Sequence, residues 1–178
     1  MNIKKLLIGG AVVLATGYAG TKVFSGKAAR PEPPGLKLSQ SVLRGLHGSI
    51  RPMAVELLYA AAAKGIPLVI TSGFRSSDAQ ARLYAQGRTT PGRIVTHAKP
   101  GVSWHNYGLA FDVAVLKDGK ATWPNDRALW NRIGAIGKLV GLTWGGDFPE
   151  DQIDLPHFDH HPDMRIADAM AGKRPSIA

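Results

Sequence analysis

A proline-rich stretch divides the chain and limits how much of it can form one folded domain. Residues 25–38 contain three prolines within four positions, and prolines at this density favour extended polyproline geometry and block a helix. The remaining residues, 39–178, are numerous enough for one domain. Hydrophobic residues make up 44% of the 178-residue chain, which supplies material for a core. We therefore predict a linker over 25–38 and a single folded domain over 39–178.

The first 24 residues have the features of an export segment. Two lysines precede Leu6–Gly20, an uncharged and mostly apolar run, and small residues lead up to Ala19, where a signal peptidase could cut. An uncleaved membrane anchor is the alternative, because a helix extended to Phe24 nearly spans the hydrocarbon core of about 30 Å. A third interpretation is that the segment forms a buried helix of the folded domain, but the lysines that precede the apolar run argue against it. The segment predicts export, with the chain in the periplasm or at the outer face of the inner membrane.

Composition removes several function classes. The chain has no cysteine, so disulfides, thiolate metal sites and a cysteine nucleophile are excluded. Lysine and arginine total 22 against 13 acidic residues, and the net charge of +9 favours polyanionic surroundings. No basic cluster interleaved with aromatic residues and no nucleic-acid-binding motif is present in the sequence, so we predict no nucleic-acid partner. We expect a monomer.

Hydrophobic periodicity predicts a small α+β domain. A long stretch between residues 87 and 103 is rich in glycine and proline, and long loops in compact domains are often functional. A serine at 39 or 41 is expected to cap the first helix, and Asp118-Gly119 is expected to form a turn. The pattern predicts helices over 39–64, 76–86 and 125–140 and strands over 67–72, 109–116 and 142–144.

Two histidines and one aspartate are candidates for a metal site. His105 lies in the loop before a predicted strand, Asp112 lies within that strand, and His157 lies near the end of the chain. Two histidines with one carboxylate and an open fourth position are the pattern of catalytic zinc. A lone histidine is more often a simple hydrogen-bonding residue, but a carboxylate in an apolar strand is costly unless a cation or hydrogen bonds offset it.

A zinc-activated water also needs a proton acceptor that is not a ligand. Asp154 lies three residues before His157, and Pro156 between them stiffens the turn. Both side chains can then point into one cleft. The sequence therefore predicts Asp154 as the general base.

Three strings of the sequence carry a family resemblance: SWHNYGLAFD, GLTWGGDF and DLPHF. They resemble the L-alanyl-D-glutamate endopeptidases of bacteriophage endolysins, which are grouped with vancomycin-resistance-type D-alanyl-D-alanine carboxypeptidases and share the metal-site fold of hedgehog domains. The resemblance covers about residues 39–161. It implies a small antiparallel sheet flanked by helices, one Zn²⁺, and the peptidoglycan stem peptide as substrate. It assigns the metal ligands to His105, Asp112 and His157 and the catalytic base to Asp154.

The same resemblance suggests roles for two further residues. Arg75 follows the first strand at the family's Gly-Phe/Tyr-Arg-Ser position, where it would contact a substrate carboxylate or the developing oxyanion. A structural salt bridge is the alternative for this arginine. Ser103 would bind substrate or fix the loop. His97 departs from the family, which more often has asparagine there, and we do not count it as a ligand.

Three functions remain open on the sequence. The first is an endopeptidase that cuts between L-Ala and D-Glu of the stem peptide, as in a phage lysis enzyme or a bacterial remodelling enzyme. The second is a D,D-carboxypeptidase that removes the terminal D-Ala. The third is a wall-binding module that has no activity, and the presence of His105, Asp112, His157 and Asp154 argues against it.

Overall fold

The sheet and its helices are described by a computed structural model that covers residues 30–176. A single turn of 3₁₀ helix, Trp104–Tyr107, precedes the second strand. The predicted α+β class with a small antiparallel sheet flanked by helices is confirmed. The helices are α1 (Leu36–Gly45), α2 (Arg51–Ala62), α3 (Ser77–Ala85), α4 (Arg127–Leu139) and α5 (Ile166–Met170), and the strands are β1 (Leu68–Ser72), β2 (Ala110–Lys117), β3 (Lys120–Thr122), β4 (Thr143–Trp144) and β5 (His157–Asp159).

The strands pair in the order β1-β2-β5-β4, and β3 pairs with β2 through a hairpin. All of these pairings are antiparallel. Strand β2 is therefore central, and Asp112 lies between Ser72 of β1 and His157 of β5. This register brings two of the predicted ligands side by side, although 45 residues separate them in sequence.

Successive side chains of β2 and β5 point to opposite faces of the sheet, so one face carries the core and the other carries the site. Phe111 and Val113 are fully buried in the core, as is Phe158 of β5, and the rings of Phe111 and Phe158 stack with centroids 5.8 Å apart. Asp112 and His157 are the neighbours of these residues and face the opposite side of the sheet. Helix α4 packs close to the core side, because a Cβ on Gly137 would lie 2.2 Å from the Phe158 ring.

The single helix predicted over 39–64 is wrong, because two helices occupy this range. Helix α1 ends at Gly45, and α2 begins at Arg51 with Pro52 in its first turn. Gly48 and Ser49 have poor helix propensity, and a proline tolerated in a first turn would break a continuous helix. The apolar spacing continues across the break, since Leu46 and Ile50 are both buried in the same core.

Helix α1 begins at Leu36, within the range predicted as linker, and neither Ser39 nor Ser41 caps it. Gly35 precedes helix α1, and a Cβ on Gly35 would lie 1.8 Å from the carbonyl oxygen of Leu68, so the segment is packed tightly against β1. The Ser39 hydroxyl donates to Gly35 O and accepts from the backbone N–H of Ile70. Ser39 therefore satisfies a donor on the edge strand instead of capping a helix.

Residues ahead of helix α1 contact α2. The guanidinium of Arg30 makes two hydrogen bonds of 2.7 Å with the carboxylate of Glu56 and lies 4.4 Å from the centroid of the Tyr59 ring. The predicted export segment, 1–24, lies outside the described residues. Among residues 30–176, no helix combines the length and the apolar character that crossing a membrane requires.

Candidate metal centre

The three predicted metal ligands come from two strands and one turn. Asp112 and His157 are paired across β2 and β5, and His105 lies in the 3₁₀ turn that leads into β2. Gly108 ends this turn with φ of +68°, a left-handed conformation that glycine adopts without strain. A Cβ at Gly108 would also lie 3.0 Å from the carbonyl oxygen of Gly45. The glycine therefore allows the chain to reverse and place His105 beside the sheet.

Three donor atoms form a nearly equilateral triangle. Asp112 Oδ1 lies 3.4 Å from His105 Nε2 and 3.3 Å from His157 Nδ1, and the two ring nitrogens are 3.3 Å apart. A tetrahedral zinc with bonds of about 2.0–2.1 Å has ligand-to-ligand distances of roughly 3.3–3.4 Å. The donor set and its spacing therefore fit zinc. Within residues 30–176, no other group of histidines and carboxylates has this spacing.

Each imidazole is oriented by a partner on its second nitrogen. His105 Nδ1 lies 2.7 Å from the carbonyl oxygen of Gly73, and His157 Nε2 lies 3.2 Å from Asp159 Oδ2. A metal-binding histidine usually donates its other N–H to a carbonyl or carboxylate, which fixes the tautomer and the ring orientation. With a cation bound, the remaining ring nitrogens, His105 Nε2 and His157 Nδ1, would therefore present their lone pairs to it on the side of Asp112.

The electrostatics of the cluster favour a cation. Burial alone would raise the pKa of Asp112, but hydrogen bonds from His105 and His157 outweigh it and hold this pKa well below its usual range. Burial likewise opposes the charged form of His157, yet hydrogen bonds to Asp112 and Asp159 raise its pKa to about 10. Binding of a metal by these ligands therefore competes with protons and releases them.

Asp154 lines the cleft beside the triangle without joining it. Its backbone N–H donates to Gly145 O, and its carbonyl accepts from the N–H of His157. A Cβ on Gly145 would lie 2.3 Å from Asp154 O, so glycine is needed for this close approach. Partial desolvation raises the pKa of Asp154, and the negative charge of Asp112 adds to this effect.

Arg75 also lies in the cleft. Its guanidinium donates to Gln80 Oε1 at 2.9 Å and to Ser72 Oγ at 3.1 Å, and it lies 3.8 Å from Asp112 Oδ2. The distance to the carboxylate is long for a paired salt bridge. The side chain is 20% exposed and lines the same cleft, so part of the guanidinium faces the space where a substrate would lie.

The cleft has a volume of about 760 Å³ and is open to solvent. Ser103 and His97 both line it, from the long loop between α3 and the 3₁₀ turn. Ile94 and Ile153 also line the cleft, and both are exposed. The structure therefore gathers every predicted site residue around one cleft, namely Arg75, Ser103, His105, Asp112, Asp154 and His157.

Three side chains near the site were missed in the sequence. Asp159 is 2% exposed and holds His157, and His161 lies 3.3 Å from the other oxygen of Asp159. Gln80 is fully buried, accepts from Arg75 and donates to Ala98 O in the long loop. The sequence does contain a signal for Asp159. His157 and Asp159 are polar residues on either side of the core residue Phe158, and this pattern places both on the same face of a strand.

Together, a His-Asp-His triangle that lines an open cleft, with both histidines buried and the aspartate partly buried, defines a mononuclear metallohydrolase site. The model of the VanY D-alanyl-D-alanine carboxypeptidase family matches residues 44–154. The chain is 45% identical over 125 residues to the peptidoglycan L-alanyl-D-glutamate endopeptidase CwlK of Bacillus subtilis strain 168. The match covers 66% of this chain and 74% of CwlK. The chain belongs to the VanY family.

Solved structures support the fold. The LdcB LD-carboxypeptidase superposes with a TM-score of 0.54 at 18% identity, over 71% of this chain and 64% of LdcB. The L,D-carboxypeptidase DacB from Streptococcus pneumoniae gives a TM-score of 0.50 at 24% identity, over 72% of each chain. At these identities the likeness concerns the arrangement of helices and strands.

Proposed function

We propose that the protein is a zinc peptidase that cuts the L-Ala–D-Glu bond in the stem peptide of peptidoglycan. The observation that carries the proposal is the 45% identity with CwlK, an endopeptidase for that bond, over a region that contains most of the domain. The donor triangle of His105, Asp112 and His157 supports the metal chemistry. The open cleft suits an extended peptide better than a small enclosed molecule.

His105, Asp112 and His157 would hold the zinc through Nε2, Oδ1 and Nδ1. Zinc in such a site supplies a Lewis acid for the scissile carbonyl and lowers the pKa of a water toward neutrality. Asp154 accepts the proton of the attacking water on its carboxylate and later delivers it to the leaving amine. The raised pKa of Asp154 suits this role, because an acceptor that also returns the proton works best when its pKa is not far below the working pH.

Arg75 would bind negative charge on the substrate or on the transition state. Its guanidinium is fixed by Gln80 and Ser72, so it is already oriented when a substrate enters. A preorganised donor stabilises developing charge without reorganisation at the moment of reaction. Ser103 lines the cleft next to His105 and can offer its hydroxyl to the substrate backbone.

Digestion of defined stem peptides tests the bond that is cut. We expect the zinc-loaded full chain to release an N-terminal L-Ala fragment and a new D-Glu amine from both tripeptide and pentapeptide stems, with products identified by mass spectrometry. A carboxypeptidase would act only on the pentapeptide stem, which ends in D-Ala-D-Ala, and would release D-Ala. The protein treated with a chelator is the control and should leave both substrates intact.

Two results would contradict the endopeptidase. Release of D-Ala alone would favour the D,D-carboxypeptidase, the activity that names the matching family. Retention on purified cell wall with no product in the presence of zinc would favour a binding module. Either result would leave the family membership unchanged and would reassign only the reaction.

We further propose that residues 1–24 export the chain and hold it at the outer face of the inner membrane, where the domain reaches the wall. The basic start and the apolar run of this segment support export, and its four glycines make it a weak anchor. Release by cleavage after Ala19, or by loss from the bilayer, would then time wall degradation, as in phage-induced lysis.

Cell fractionation tests the export proposal. We expect the full chain in the membrane or periplasmic fraction, whereas a chain that lacks residues 2–24 should remain in the cytoplasm and keep its activity on purified wall. Activity of the shortened chain on purified wall serves as the control, because it shows that the domain is folded. Full chain present solely in the cytoplasm, with no processed form, would overturn the proposal.

A further inference from the structure

A short series of polar contacts leads away from His157 on the side opposite Asp112. Asp159 Oδ2 lies 3.2 Å from His157 Nε2, and Asp159 Oδ1 lies 3.3 Å from His161 Nε2. His157 and Asp159 share one side of strand β5, and His161 follows beyond its end. The carboxylate of Asp159 is thus shared between a ligand of the candidate metal site and a histidine outside it.

His161 is fixed by two further contacts. Its Nδ1 lies 3.1 Å from the carbonyl oxygen of Met164, and its ring stacks on Trp104 with centroids 3.9 Å apart and planes 11° from parallel. Trp104 immediately precedes His105, the ligand from the 3₁₀ turn. His161 therefore connects the segment that carries His157 to the segment that carries His105.

Both nitrogens of His161 face oxygen atoms that only accept hydrogen bonds. A neutral imidazole has a single N–H, so the ring can present an N–H toward both oxygen atoms only when it carries its second proton and a positive charge. The contact is an ion pair at 3.3 Å, because Asp159 Oδ1 has no partner with hydrogen-bond geometry among the described residues. The nearby carboxylate of Asp159 raises the pKa of His161, in agreement with this arrangement.

The charge of His161 matters because Asp159 is almost completely buried, at 2% exposure. A buried carboxylate is costly unless a cation and hydrogen bonds compensate it. His157 is neutral when it binds a metal, and then it offers Asp159 a hydrogen bond without a charge. His161 is the remaining group in contact with Asp159 among the described residues that can supply a positive charge.

We propose that Asp159 and His161 form a positioning pair for the metal site. Asp159 holds the ring of His157 in its ligating orientation, and His161, stacked on Trp104, holds Asp159 in place and balances its charge. The inference rests on the zinc site of the proposed function. Neither residue is assigned to contact the scissile bond, so both act through His157.

Zinc affinity of the full chain tests the pair, measured by competition with a chromophoric chelator. Asp159→Asn removes the charge at nearly constant shape, and we expect zinc binding to weaken by about 10–100-fold, the usual effect of losing such a partner. His161→Phe keeps a ring that can stack on Trp104 but removes the ion pair with Asp159, and we expect zinc binding to weaken by about 10-fold. His160→Phe makes the same substitution one residue earlier and should leave zinc affinity unchanged.

Two additional readouts separate positioning from a general loss of structure. The visible absorption of the cobalt-substituted protein should change in Asp159→Asn and His161→Phe, because the geometry at the metal changes. A purely structural role would instead lower the melting temperature of the metal-free chains and leave zinc affinity and the cobalt spectrum as in the wild type, which would overturn the proposal. If Asp159→Asn does not fold, His161→Phe decides, since its side chain is partly exposed.

The wild-type chain distinguishes a failure of the positioning pair from a failure of the zinc site. If the wild-type chain binds zinc and both variants bind it as tightly as the wild type, the positioning pair is refuted but the zinc site is not. A correctly folded wild-type chain that binds no zinc would refute the proposed function and, with it, the pair that depends on that site.

Discussion

Replacement of His105 by alanine should remove zinc from the protein and abolish peptidoglycan hydrolysis. His105 supplies one corner of the donor triangle, and its Nε2 lies 3.3–3.4 Å from the other two donor atoms. The loss of a direct ligand should weaken zinc binding by more than the roughly 100-fold upper range for losing an outer partner. We expect less than one tenth of a zinc per chain by metal analysis after dialysis, against about one in the wild type.

His160→Ala is the matched control for this experiment. His160 is also near the end of strand β5, but its Nδ1 lies 3.2 Å from the carbonyl oxygen of Gly141, away from the triangle. This variant should keep its zinc and its activity. Full zinc content and normal turnover in His105→Ala would show that the ligand assignment is wrong.

Replacement of Asp154 by asparagine should leave zinc in place and slow turnover by about 100-fold or more, the usual contribution of a proton-transfer group. Asp154 lies outside the donor triangle, so zinc content should match the wild type. Because desolvation raises the pKa of Asp154, the wild-type rate should fall as the pH drops through this raised pKa. Asparagine does not titrate, so the variant should lose this acidic limb of the pH–rate profile.

Glu150→Gln is the control for the loss of one negative charge in the same loop. Glu150 is exposed and does not line the cleft, so its variant should retain normal kcat and the acidic limb. A kcat of Asp154→Asn within a few-fold of the wild type would move the proton-transfer role to another group.

The longer strands and helices of this fold can be predicted from the sequence, whereas the short ones cannot. Strand β2 and helix α4 agree with their predicted ranges to within a few residues, because a nearly continuous apolar run with two valines marks the strand and a capping Asp126 marks the helix. The break between α1 and α2 was missed because apolar residues keep their three- and four-residue spacing across it. Strands β3 and β5 contain three residues each, too few for a period to be visible.

The site could be predicted as a set of residues but not as an arrangement. Histidine and aspartate in the three strings indicated a metal, whereas the contact of Asp112 with His157 depends on the register of two strands far apart in sequence. Gln80 carried no signal of its role, because a glutamine in a short helix is usually exposed. Its burial follows from the long loop that folds over α3 and takes two hydrogen bonds from its amide.

The packing of Gly35 against Leu68 has a practical consequence for attaching this enzyme to a surface. Gly35 contacts the first residue of β1, whereas Gly73, just past the other end of β1, accepts the hydrogen bond of His105. Five residues of strand separate these points by roughly 16 Å. A bead, a resin or a fusion partner coupled ahead of Arg30 would therefore be held at the far end of the strand, and the cleft would stay open to large, insoluble wall fragments.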